Sequence, residues 1–188
     1  MPTGYQIKEQ DKLHFVTLQV VEWVDIFTRQ VYRDIIIENL AYCQKNKGLE
    51  IYAWVIMSNH IHLLVKSDKE ELSNILRDFK SYTSKKIIED IDSCNESRKE
   101  WMLKLFRDAA FKHKRNSEHQ FWTHENHAEH IYSNKFIEQK LDYIHKNPVR
   151  TGIVEKPEEY KYSSAKDYAG EKGLLEIEII MRQWKTYR

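Results

Sequence analysis

The stretch IYAWVIMSNHIHLLV, residues 51–65, decides how this chain folds. It holds two apolar runs, Ile51–Met57 and Ile61–Val65, rich in β-branched and aromatic residues and broken by Ser58-Asn59-His60. A short polar break between two such runs predicts an antiparallel hairpin. Side chains alternate along a strand, so His60 and His62 share one face while Ile61 and Leu63 take the other. Two imidazoles about 7 Å apart on one strand face can converge on a divalent ion if another element brings a third ligand. By itself the pattern fits two solvated histidines at a strand end equally well. A two-histidine phosphoesterase needs a second strand motif of the same kind, and the sequence has none.

Outward from the hairpin, LHFVTLQV at 13–20 reads as a strand. Residues 29–46 place Val31, Ile35, Ile36, Leu40 and Tyr42 at helical spacing, with Gly48 positioned as a C-cap. Residues 69–92 form a second helix with a stripe of Leu72, Ile75, Leu76, Phe79 and Tyr82, and 98–113 a third with Trp101, Leu105 and Phe106. A polar, His-rich loop is expected at 113–130. The next helix, at about 134–146, should stop at Asn147-Pro148, because the residue before proline is pushed out of the α region. A terminal helical candidate spans 174–186. Strands alternating irregularly with helices around a central hairpin indicate an α+β class with a largely antiparallel sheet. The 188 residues suit one domain, with its core at about 13–170 and a C-terminal helical extension at 174–188.

Composition narrows the function. No apolar run approaches the roughly 18 residues that span a bilayer, and the N-terminus lacks the apolar segment of a secretory signal. Two widely spaced cysteines, Cys43 and Cys94, fit reduced thiols in the cytoplasm. With five glycines and neither GxxxxGK[ST] nor GxGxxG, nucleotide binding by those loops is excluded. Thirty basic residues against 29 acidic ones leave a net charge of +1, which argues against a uniformly basic nucleic-acid-binding surface. The segment 98–115 departs from that average, with seven cations against two acids.

A second constellation lies at LDYIHKNPVR, residues 141–150. Tyr143 and Asn147 are one helical turn apart and share a face if the last turn holds. A phenol is a plausible nucleophile toward a phosphodiester once a metal polarises the phosphate, and an amide oxygen suits Mg2+ or Mn2+. With ten other tyrosines in the chain, spacing alone does not single out Tyr143.

Together, YAWVIMSNHIHLLVK (52–66) and LDYIHKNPVRTGIVEKPEEYKYSSAKDY (141–168) resemble the REP-associated tyrosine transposases and their insertion-sequence relatives, single-strand transposases of the HUH (His-hydrophobic-His) endonuclease group. The likeness runs from about Leu13 to Gly170. It implies a ferredoxin-like antiparallel sheet flanked by helices, with the HUH motif on a central strand and commonly a homodimer, a monomer being the alternative. It assigns His60, His62 and Asn147 to the metal and Tyr143 to catalysis. It further implies hairpin-forming single-stranded DNA as partner, Mg2+ or Mn2+ as cofactor, and cleavage and rejoining through a 5′-phosphotyrosine. A phenol ionises near about pH 10, so its proton needs an acceptor, a metal-bound water or an imidazole such as His145. Ser58 stands where relatives often carry proline.

Arg107, Lys112, Lys114 and Arg115 from the basic segment, with Trp122 and Arg150, are the expected DNA contacts. Trp122 either packs or stacks. The histidines of 113–130 lack cysteines and regular spacing, which makes a zinc site a poor fit. Two other readings compete: a domesticated hairpin-DNA-binding protein with little or no strand transfer, and a metal-dependent hydrolase of small phosphodiesters.

Overall fold

The computed structural model describes residues 7–69, 71–93, 96–114 and 118–181. Strand β1 (His14–Gln19) leads through helix α1 (Gln30–Lys47) to the hairpin β2 (Leu49–Ile56) and β3 (His60–Ser67). Helices α2 (Leu72–Ser93) and α3 (Lys99–Lys112) follow, then the short β4 (Glu129–His130), α4 (Asn134–Arg150) and one turn, α5 (Ala165–Tyr168). The sheet order is β2-β3-β1-β4 and every neighbouring pair is antiparallel. That order, with α1 and α2 as the two crossovers, is the expected ferredoxin-like α+β arrangement, and α3 is added between α2 and β4. The HUH strand is central: His62 sits opposite Thr17 of β1 and Val55 of β2.

The two sheet faces are built differently. Val16, Leu18, Ile61, Leu63 and Val65 are at most 1% exposed, and their face packs beneath α1 and α2. Helix α4 packs on β2 and β3 from the other side, where the histidines lie. Gly48 ends α1 in the left-handed region (φ 75°), its N–H bonded to Cys43 O. A Cβ there would meet Asp68 Oδ1 at 2.5 Å, so glycine is required for both reasons.

Three sequence expectations are corrected. Val31, Tyr42, Tyr82 and Trp101 lie on helices as expected, yet all are exposed, because α1, α2 and α3 each pack on one side only. Helix α4 does not stop before Pro148 but continues to Arg150. So near the C-terminus the proline removes a single hydrogen bond, and the Thr151 hydroxyl caps the carbonyls of Asn147 and Pro148. The third correction concerns 174–181, which carry no helix. This segment runs along the outer edge of β2, where Glu178 N–H donates to Ile51 O and Gln44 Nε2 donates to Glu176 O. An edge strand with unpaired backbone groups draws an extended partner, and isoleucine-rich sequence supplies one. The remainder of the 174–186 prediction lies outside the described residues. The hairpin itself forms as expected. It closes through Met57 N–H to His60 O, without left-handed residues at Ser58 or Asn59. Backbone from 20–27 holds it instead: Phe27 N–H donates to Ser58 O and Val20 N–H to Asn59 O. No described helix is long and apolar enough to cross a membrane.

Candidate active site

His60 and His62 fall together as strand alternation requires, with ring centroids 4.6 Å apart. Tyr143 reaches across from α4 and sets its ring edge-on to His62 at 5.0 Å. Phe15 of β1 completes the cluster, stacked on His62 at 5.3 Å and edge-on to Tyr143 at 5.9 Å. Residues separated by about eighty positions in the chain thus form one aromatic nest. Tyr143 remains 37% exposed, so its phenol reaches solvent from this nest.

Each histidine has one ring nitrogen tied and the other turned to the site. The Thr17 hydroxyl lies 2.8 Å from His62 Nδ1, while His62 Nε2 is buried with no hydrogen-bond partner. The Asn59 side-chain oxygen lies 2.6 Å from His60 Nδ1. Asn59 Nδ2 donates to Trp23 O, which fixes which end of the amide faces the ring. An Nδ1–H donating to oxygen leaves the Nε2 lone pair outward, the tautomer a metal-binding histidine needs. Burial pushes His62 from its ordinary 6.5 down to about 3, with smaller contributions from His60 and Lys140, and burial lowers His60 as well. Both rings are therefore neutral ligands at neutral pH.

The buried, unpartnered Nε2 is the observation that fits a cation here, because an apolar interior does not leave an acceptor unused without cost. Asn147 lies one α-helical turn beyond Tyr143, on the same face and 9% exposed, with an amide oxygen as a third donor of suitable hardness. Among the described residues no group of three His, Cys, Asp or Glu side chains is placed to hold a metal ion.

Lys140, which the sequence reading missed, stands one turn before Tyr143. Its ammonium lies 4.1 Å from the Phe15 ring centroid and pairs with Glu129 at 2.9 Å. The i, i+3 spacing of Lys140 and Tyr143 was the available signal. Arg150 stands on the other side, its guanidinium 5.6 Å from the Tyr143 ring centroid. These two cations flank Tyr143.

The remaining expected DNA contacts do not converge on this nest. Arg107, Lys112 and Lys114 are exposed on and just after α3, and Lys112 pairs with Glu22 at 3.6 Å. Arg115 lies outside the described residues. Trp122 is 5% exposed, packs on Phe27, Phe79 and Phe121, and donates its indole N–H to Thr83 Oγ1, so it packs and does not stack on a ligand. His145 is turned from Tyr143 toward Ser164 Oγ at 2.9 Å and the Tyr168 ring at 4.8 Å, which removes it as an acceptor for the Tyr143 proton. Helix positions 143 and 145, two residues apart, point about 200° apart, and this opposition is the reason.

Residues 8–108 match the family model described as "Transposase IS200 like". That span contains His60 and His62 and ends before Tyr143 and Asn147. No sequence relative is found among curated proteins. The fold is similar to a solved structure described as a REP-associated tyrosine transposase bound to a REP hairpin, with a TM-score of 0.59 and 17% identity over 100% of this chain and 98% of that one. With the family model spanning more than half of its length, the chain belongs to the IS200-like transposase family.

Proposed function

We propose that this chain cleaves and rejoins hairpin-forming single-stranded DNA through Tyr143, with Mg2+ or Mn2+ held by His60, His62 and Asn147. The observation that carries the reading is the packing of Tyr143 on His62, whose outward nitrogen is buried without a partner. When bound, the cation supplies Lewis-acid polarisation of a non-bridging phosphate oxygen. Thr17 and Asn59 hold the two imidazoles in the ligating tautomer. Phe15 and His62 hold the Tyr143 ring, and Lys140 and Arg150 supply positive charge where phosphates would lie.

Tyr143 Oη forms a bond to phosphorus as the bond to the 3′ oxygen breaks. The phenol proton passes to water, and the leaving oxygen takes one up as the free 3′-hydroxyl. The 5′-phosphotyrosine keeps the energy of the broken diester, so attack by a 3′-hydroxyl restores a DNA strand without a nucleotide cofactor. The similar transposase is described as bound to a REP hairpin, which makes a hairpin with a single-stranded flank the first substrate to test.

Incubated with such a labelled hairpin and Mg2+ or Mn2+, the protein should form an adduct that survives denaturation, and chelation should remove it. An adduct persisting in Tyr143→Phe would overturn the nucleophile assignment. Tight hairpin binding without an adduct under either metal would favour a DNA-binding protein that has lost strand transfer.

A further inference from the structure

Trp23 stands out on this surface: it is 68% exposed, although tryptophan usually buries most of its indole. Its backbone is strained as well. Glu22 (φ 50°) and Trp23 (φ 57°) are consecutive non-glycine residues in the left-handed region, a conformation disfavoured for residues with a side chain. The surroundings impose that conformation. Trp23 O accepts a hydrogen bond from Asn59 Nδ2, the same side chain whose oxygen holds His60 Nδ1. Gln19 Nε2 donates to Asn59 O, and Phe27 N–H donates to Ser58 O. The turn that presents the indole is thereby stapled to the turn that starts the HUH strand, with one asparagine side chain between Trp23 and His60.

Next to this turn, α3 carries a second exposed indole and two lysines. Glu22 and α3 border a cleft of about 380 Å³ lined by Trp101, Lys104, Asp108 and Lys112, and Trp101 is 52% exposed. Lys112 pairs with Glu22 at 3.6 Å. Exposed indoles interleaved with lysines are what an unpaired strand requires, with rings for base faces and ammonium groups for phosphates.

We infer that Trp23 is a base-stacking platform for the single-stranded DNA that leads into the active site, with Trp101, Lys104 and Lys112 continuing the track along α3. The inference rests on the single-stranded DNA reading given above, yet it concerns binding and needs neither the metal nor the Tyr143 chemistry. The strain at Glu22 and Trp23 is the structural cost of holding an indole out to solvent at a fixed distance from His60.

The test is the affinity of metal-free protein for a fluorescein-labelled oligothymidylate, read by anisotropy. Stacking of one base makes Trp23→Ala bind about tenfold more weakly, while Trp23→Phe stays within about threefold of wild type and affinity for a duplex of equal length is unchanged. A second measurement separates stacking from any loss of folding. An oligothymidylate with a single abasic site should bind wild type more weakly when the site lies at the stacked position, whereas Trp23→Ala should not distinguish it from the intact strand. Equal binding by wild type and Trp23→Ala, an equal loss on duplex DNA, or no binding of oligothymidylate by wild type overturns the inference. The adduct assay is independent of these outcomes. Stacking without an adduct would leave Trp23 assigned and remove the strand-transfer reading, and an adduct without Trp23 dependence would do the reverse.

Discussion

The two faces of the sheet handle buried polar groups in opposite ways. Beneath α1 and α2, the polar atoms of Trp122 and Thr83 close on each other: the indole N–H reaches Thr83 Oγ1, and that hydroxyl donates to Phe79 O. Beneath α4, His62 is nearly as buried but is closed on one nitrogen only. The first arrangement serves packing, and the second leaves an acceptor available for a ligand. His145, on the far side of α4, shows that the difference is not one of residue type, since it too is buried and its Nε2 is taken by Ser164. What sets His62 apart from His145 is the nitrogen left without a partner.

The strongest challenge to this contrast is Tyr143→Phe, which should abolish adduct formation while keeping the aromatic packing on Phe15 and His62, as judged by an unchanged unfolding midpoint. Trp122→Ala comes next. It should cost about 3–5 kcal/mol of stability in denaturant titrations through the cavity it leaves, with adduct yield per folded molecule preserved. Were its activity lost in proportion to a specific DNA contact instead, Trp122 would belong to the binding surface and the closed face would not be purely structural.

Thr17→Val tests the open face with a smaller effect. Removing the hydroxyl frees the His62 tautomer, and Mg2+ or Mn2+ affinity measured by calorimetry should fall roughly 10- to 100-fold, with Asn59→Ala acting similarly through His60. An affinity unchanged in both variants would mean that the hydroxyl and amide do not orient these ligands. The smallest effect concerns acid stability. His62 takes up its proton only near about pH 3 when folded, against an ordinary 6.5. The unfolded chain therefore binds the extra proton first, and stability declines as pH falls from 6.5 toward 3. At about pH 5.5 the loss attributable to His62 is about 1 kcal/mol. His62→Gln should flatten that part of the profile of unfolding midpoint against pH.

Much of the fold was legible because strands and helices are written in local periodicity. The hairpin at 49–67, helix α1 with Gly48 as its cap, and the clustering of His60 with His62 all follow from spacing within one element. The reading failed where a distant segment decided the outcome. Residues 174–181 look helical by composition, but the open edge of β2 holds them extended. Trp122 looks like a loop aromatic, but Phe27, Phe79 and Thr83 draw it inside. Pro148 marks a break, but the Thr151 hydroxyl lets the helix run on.

The site divides along the same line. Sequence alone determined which side chains share a strand face or a helix turn, because those relations are set by the two- and 3.6-residue repeats of the backbone. Only the tertiary structure decided that Tyr143 meets His62 across the gap between α4 and β3, that Lys140 and Arg150 flank it, and that Trp23 is tied to His60 through Asn59. Those relations depend on sheet order and helix placement, which arise from burying apolar surface over the whole chain and leave no local pattern to read.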